Sequence, residues 1–167
     1  RRAYELHPEI PPEGRRVRHD GRLAPTFERV EAECDAAGLP FRRPSRMPNT
    51  HRALATAEWV RREHPDAFDH LHSRLFAAHF AHGEPLDDPD LLDSLVAEAG
   101  APADRVRLAV DDGRAGALVE ASMREAHEHG ITATPSWLVG GLVVPGVPEP
   151  ATLRRWVGRM VERLNRG

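Results

Sequence analysis

The sequence predicts an α/β fold in which a small sheet carries an inserted block of helices. Runs rich in β-forming residues stand near both ends of the chain, whereas residues 49–130 have helical periodicity almost throughout. Strands at both ends with helices between them are typical of an α/β sheet with a helical insertion. A chain of 167 residues is long enough for one domain with a sizeable core.

Composition excludes several classes of function. Hydrophobic residues make up 40% of the chain and charged residues 29%, which is typical of a soluble globular protein. The formal net charge is -3 without a basic stripe, so no nucleic acid partner is expected. Apolar runs are too short to span a membrane, so no membrane partner is expected either. The 10 histidines, including His79 and His82, complete no standard ligand pattern, so no metal site is predicted.

Cys34 is the single cysteine, so an intrachain disulfide is impossible. This favours a reducing compartment and predicts a cytoplasmic protein. Cys34 shares a helical face with Phe27 and Val30, which predicts that it points into the core. Buried cysteines of this kind are inert, so a catalytic role for Cys34 is not expected.

The first 48 residues predict one strand and one helix. Polar and apolar residues alternate over residues 3–6, like the tail of a strand that the following prolines end. Residues 9–21 are rich in proline, glycine and charge and predict a loop. A helix then begins near Pro25 and stops at Gly38.

Five helices are predicted next. Asn49 or Thr50 caps the first, and the second runs from about residue 66 to residue 82. The third covers residues 88–100, with Asp88 or Asp90 as its cap, a short one follows Pro102, and the last runs from about residue 112 to residue 129. The apolar positions predicted to face inward are Ala53, Leu54, Ala57, Val60, Phe68, Leu71, Leu75, Phe76, Phe80, Leu91, Leu92, Leu95 and Val96.

Residues 130–146 predict a β-hairpin and the segment that leads into it. Two short apolar runs, residues 137–139 and 142–144, flank a Gly-Gly pair that tolerates the positive φ of a tight turn. Pro135 cannot donate a ladder hydrogen bond, so it belongs at the start of the first strand. Because X-Pro is the bond that readily becomes cis, Thr134–Pro135 is a candidate cis peptide.

The chain ends in a predicted amphipathic helix that begins near Pro150. Its apolar residues recur at helical spacing and form one face that needs a sheet or helices to cover it. These residues are Leu153, Trp156, Val157, Met160, Val161 and Leu164.

Several phrases of this sequence, in their order and spacing, resemble the DsbA-like thioredoxin-fold family, and most closely its FrnE-type branch. The resemblance covers essentially the whole chain. These segments are residues 4–14, Asn49-Thr50 with Trp59 downstream, residues 75–80 with His79 where the family has Tyr, residues 130–139, and residues 144–146 with 148–149.

The resemblance implies a thioredoxin-like domain formed by residues 1–48 and 130–167, with residues 49–129 as an inserted helical subdomain. Members of the family carry a strand and a Cys-x-x-Cys helix start upstream of the phrase at Tyr4. We therefore expect the biological chain to be longer by about one strand-plus-helix unit. The alternative is a shorter product that fills the gap by strand exchange between chains. An exposed sheet edge would also favour pairing, and the oligomeric state stays open.

The same resemblance implies a thiol-disulfide oxidoreductase that acts on protein or small-molecule thiols and disulfides, with its redox cysteines outside this sequence and no cofactor. Thr134 and Pro135 are the implied substrate-binding residues, because the residue before the proline pairs with substrate backbone in the family. The structural alternative is turn geometry without a ligand.

Two other functions stay open. The related 2-hydroxychromene-2-carboxylate isomerases and kappa-class glutathione transferases have an Asn near glutathione at the position of Asn49, which would make glutathione the cofactor and a glutathione conjugate the substrate. A plain helix cap is the competing interpretation of Asn49. The third possibility is a non-catalytic module that binds extended peptides.

Overall fold

The computed structural model describes residues 1–19, 21 and 24–164, with the side chains of the last helix described as far as Glu162. The chain divides into two compact units, Arg1–Glu120 and Ala121–Gly167. The grouping of residues 1–48 with 130–167 in one thioredoxin-like domain stays a prediction.

The first unit is mainly helical, as the apolar periodicity predicts. Two very short strands, Arg15–Arg16 and Arg46–Met47, pair antiparallel with Arg15 opposite Met47. After the helix Pro65–Phe76 the chain continues as a π-helical segment, Ala77–His82, which ends at Gly83 with a φ of +73°. The elements are β1 (Arg15–Arg16), α1 (Ala24–Ala36), β2 (Arg46–Met47), α2 (His51–Glu63), α3 (Pro65–Phe76), α4 (Pro89–Glu98), α5 (Ala103–Asp111) and α6 (Arg114–Glu128), whose last residues belong to the second unit.

The core of the first unit is formed by one apolar face from each of α2, α3, α4 and α5, together with Ala78 and Ala101 from the segments between them. Residues three or four positions apart share a helical face, which is why the predicted stripes meet there. Asp88 accepts a hydrogen bond from the amide of Asp90 at 2.9 Å and so caps α4, as predicted. The core side chains are Ala53, Val60, Ala67, Leu71, Leu75, Ala78, Leu92, Leu95, Val96, Ala101 and Val106.

The predicted strand over residues 3–6 is wrong. Arg1 instead contacts Asp69 of α3, and the amide of Ala3 donates to the Glu58 carboxylate of α2 at 2.5 Å. The start of this segment therefore contacts helices α2 and α3, and residues 3–6 have no strand conformation. The predicted loop over residues 9–21 contains β1, and Asp20 within it lies outside the described residues.

Two predictions about the core are also wrong. Cys34 is only partly buried, and none of the described side chains of α1 is fully buried. Phe76 is 56% exposed although it was predicted to face inward. At about 100° per residue, Phe76 lies about 140° around the helix from the fully buried Leu71, which explains its exposure.

The second unit contains the predicted hairpin and the last helix. Strand β3 (Ser136–Val139) pairs antiparallel with β4 (Leu142–Pro145), and both turn residues, Gly140 and Gly141, have positive φ. A Cβ at Gly140 would lie 1.9 Å from the Met160 methyl group, so any larger residue at this position would force the Met160 side chain to move.

The last helix, α7 (Pro150–Leu164), packs against β3. Leu153, Trp156 and Met160 on its predicted apolar face are partly buried, whereas Val157 and Val161 are exposed. The side chain of Leu164 lies outside the described residues. Among the helices described here, none combines the length and the apolar character that crossing a bilayer requires.

Candidate functional site

Thr134 and Pro135 lie directly before β3 in the second unit, and both are exposed. The peptide bond between them is cis. The Pro135 carbonyl accepts a hydrogen bond from the amide of Gly146 at 2.8 Å, which continues the β3–β4 pairing by one residue. Thr134 therefore stands at the open end of the hairpin.

The register of the hairpin decides which edge of β3 is open. In an antiparallel pair, successive residues alternate between facing the partner strand and facing away from it. Because the Pro135 carbonyl faces β4, the backbone groups of Ser136 and Leu138 face the opposite edge of β3, and Thr134 stands just before the start of that edge. In the described part of the chain, β4 is the only strand paired with β3, and the Thr134 backbone makes no hydrogen bond. Thr134 thus offers one free donor and one free acceptor to an added strand.

Two side-chain hydrogen bonds stabilise the segment around Thr134 and Pro135. The Ser136 hydroxyl donates to the Ala133 carbonyl at 2.7 Å, so it bridges the chain across the Thr134–Pro135 bond. The Trp137 indole N–H donates to the Gly146 carbonyl at 3.0 Å, on the other side of the hairpin. Both contacts use side chains and leave the Thr134 backbone accessible.

Asn49 lies in the first unit, where both ends of its amide are engaged. Its Oδ1 accepts from the amide of His51, the first residue of α2, at 3.0 Å, and its Nδ2 donates to the carbonyl of Ile10 at 2.6 Å. Asn49 therefore caps α2 and joins it to the N-terminal segment. Thr50, the other predicted cap, makes no capping hydrogen bond through its side chain. The contacts of Asn49 account for this residue without a ligand.

His79 lies in the π-helical segment, at the position where the resemblance has Tyr. Its Nδ1 atom is buried and has no hydrogen-bond partner among the described residues, and its ring packs edge-on against Phe80 with 4.7 Å between centroids. Burial lowers the pKa of His79, although a hydrogen bond with the Glu84 backbone opposes that effect. Short π-helical segments occur frequently at functional sites, and sequence periodicity gave no sign of this one.

The lowered pKa of His79 predicts acid-sensitive stability. The unfolded chain takes up the proton at about pH 6.5, whereas the folded protein resists it, so stability falls as the pH drops below that value. Replacing His79 by phenylalanine should make urea midpoints between pH 7.5 and 5 fall less steeply. His82→Phe, at an exposed position of the same segment, is the control. An unchanged pH slope in His79→Phe would contradict the prediction.

Among the described residues, no group of three or more histidine, cysteine or acidic side chains is placed to hold a metal ion.

The comparisons with known proteins identify the family. Residues 2–157 match the DSBA-like thioredoxin domain, and the chain therefore belongs to that family. A probable DsbA oxidoreductase from Streptomyces coelicolor superposes with a TM-score of 0.79 at 19% identity, over 96% of this chain and 74% of that one. A 2-hydroxychromene-2-carboxylate isomerase superposes with a TM-score of 0.71 at 15% identity, over 86% of this chain and 69% of that one.

These likenesses confirm the predicted thioredoxin-like α/β fold with a helical insertion. At identities this low, structural likeness establishes the fold alone. No curated protein sequence matches the chain significantly.

Proposed function

We propose that the protein is a thiol-disulfide oxidoreductase of the FrnE type that acts on protein or small-molecule thiols and disulfides. Its membership of the DSBA-like family supports this proposal. The observation that carries it is the unpaired backbone of Thr134 beside Pro135 at the open edge of β3. Because Cys34 is the single cysteine, the redox pair of such an enzyme lies outside residues 1–167.

In the proposed reaction, a thiolate of the redox pair attacks a substrate disulfide, which forms a mixed disulfide and releases one substrate thiol. The second thiol of the pair then attacks the enzyme sulfur of that bond, which closes the enzyme disulfide and releases the other substrate thiol. The role of Thr134 is positioning: its N–H and C=O pair with the backbone of the substrate, which adds as a strand beside β3. Pro135 supplies no N–H and fixes the direction of the strand start. The proposal includes a cytoplasmic location and protein or peptide substrates, and it needs no cofactor, nucleic acid or membrane.

Thr134→Pro tests the backbone pairing. Proline removes the N–H that would donate to the substrate, whereas Thr134→Ala keeps it, and this N–H makes no hydrogen bond within the described protein. Loss of one hydrogen bond predicts a fall of about 2- to 10-fold in kcat/KM for dithiol-dependent insulin reduction by the full-length protein. Thr134→Ala should retain normal activity.

The same assay distinguishes failure of the oxidoreductase proposal from failure of the proposed role of Thr134. If the full-length protein has no dithiol-dependent reductase activity, the oxidoreductase proposal is rejected. If it is active but Thr134→Pro and Thr134→Ala behave alike, the activity stands and the role of Thr134 is rejected. Binding of extended peptides without either thiol chemistry or glutathione affinity would leave a peptide-binding module as the function.

A glutathione-dependent isomerase or transferase is the second candidate. It is favoured by the structural likeness to 2-hydroxychromene-2-carboxylate isomerase. In that function Asn49 would contact glutathione, yet its amide already bonds to His51 and Ile10. Tight glutathione binding by the full-length protein, lost in Asn49→Ala, would favour this candidate over the oxidoreductase.

A further inference from the structure

The first unit has a cleft of about 390 Å³ that neither proposed activity uses. Its walls come from three helices: α2, α5 and the start of α6. A volume of this size is at the lower end of the range found for small-molecule sites, which is about 300–1,000 Å³. The lining residues are Trp59, Glu63, His64, Arg105, Leu108 and Arg114.

One wall of the cleft is a Trp59–Arg114 pair. The Arg114 guanidinium lies 5.0 Å from the centre of the indole ring, within the range of a cation–π contact. Arg114 is also held by Asp112, with its Nε atom 2.8 Å and its terminal nitrogen 2.7 Å from the same carboxylate oxygen. Arg114 therefore covers one face of the Trp59 indole, and the Asp112 carboxylate balances the charge of Arg114.

Arg105 is the uncompensated charge of the cleft. Within the described part of the chain its guanidinium makes neither a hydrogen bond nor an ion pair, whereas Arg107, two residues further along α5, contacts both Asp90 and Asp93. The acidic lining residue Glu63 is itself contacted by Arg62 at 3.3 Å. The cleft thus presents one free guanidinium, a group that binds carboxylates through two parallel hydrogen bonds.

Apolar surface lies beside that charge. Leu108 follows Arg105 by about one helical turn and is 60% exposed, so its side chain is accessible at the cleft. Together with the Trp59 ring, Leu108 offers surface for a flat apolar group. The ligand that matches both features carries an anionic group for Arg105 and a ring for Trp59 and Leu108.

We propose that this cleft binds a small aromatic carboxylate. The carboxylate pairs with the Arg105 guanidinium, and the ring lies against Trp59 and Leu108. This binding is independent of thiol chemistry, because every residue involved lies in α2, α5 or α6 and none is a cysteine.

The test is titration of the protein with 2-naphthoate at pH 7, followed by the NMR signal of the Trp59 indole N–H. The protein has three tryptophans, and loss of one signal in Trp59→Phe assigns it. We expect a saturable shift with 2-naphthoate and an affinity at least 10-fold lower for the neutral 2-naphthamide. Arg105→Gln should weaken 2-naphthoate by a similar factor, without loss of fold because the side chain is exposed.

Arg29→Gln is the matched control, because it removes one guanidinium from an exposed position of α1 that does not line the cleft. It should bind 2-naphthoate normally. Equal weakening in Arg29→Gln and Arg105→Gln would show a general charge effect and overturn the proposal. So would the absence of saturation, or an equal shift of the Trp59 signal with inorganic phosphate, which has no ring.

Discussion

Replacing Glu58 by alanine is expected to lower the free energy of unfolding by about 2–4 kcal/mol. Glu58 is 2% exposed, and its carboxylate accepts hydrogen bonds from Arg61 at 2.7 and 2.9 Å and from the Ala3 amide at 2.5 Å. Arg2 approaches the same carboxylate at 3.7 Å. Removal of the carboxylate leaves these donors without their acceptor. The loss is smaller than for a fully buried pair, because Arg61 retains 29% exposure and can turn toward water.

Urea unfolding followed by circular dichroism measures this effect. Glu98→Ala is the control, since its pair with Arg74 is exposed at 50% and 38%. Exposed ion pairs contribute about 0–1 kcal/mol, so the control should lie close to the wild type. Equal losses in the two variants would mean that the Glu58 contacts contribute no more than a surface pair.

Asn49→Ala is expected to lower the free energy of unfolding by about 2–4 kcal/mol, an effect as large as that of Glu58→Ala. The variant loses the cap on α2, which typically contributes about 1 kcal/mol. It also leaves the carbonyl of buried Ile10 without its donor, which costs about 1–3 kcal/mol. Thr50→Ala is the matched control, because Thr50 makes no capping hydrogen bond through its side chain.

The Asn49 variant also decides between two functions. If Asn49 acts as a cap, stability falls and the affinity of the full-length protein for glutathione does not change in isothermal titration calorimetry. If Asn49 contacts glutathione, the affinity falls together with stability or instead of it. A variant as stable as the wild type would show that the hydrogen bonds to His51 and Ile10 are dispensable.

The helices and the hairpin were predictable because their signals are local. Asp88 before an apolar repeat specifies the start of α4, and the Gly-Gly pair between two apolar runs specifies the β3–β4 turn. Thr134 and Pro135 were placed before β3 by the same reasoning. Each of these features depends on neighbours within a few residues along the chain.

The errors concern features that depend on distant residues. Alternation over residues 3–6 is a local strand signal, but strand formation also depends on what lies alongside, and in the first unit Ala3 and Glu5 contact Glu58 and His51 of helix α2. Phe76 was predicted to face inward because it is apolar, but its position around the helix axis differs from that of Leu71 by about 140°. The cleft could not be predicted because Trp59, Arg105 and Arg114 lie on three different helices. Periodicity identifies the apolar face of each helix but does not show which helices pack together.

The open edge of β3 has a consequence for selectivity. In the proposed pairing Thr134 contributes main-chain atoms, which are the same in every polypeptide, so a peptide bound there would be recognised by its extended shape. The side chains of such a peptide project above and below the hairpin instead of toward it. The amino-acid sequence of the peptide would then have little influence on binding. The accessibility of an unfolded stretch would have a large influence on binding. Newly made or partly unfolded chains would be preferred over compact ones.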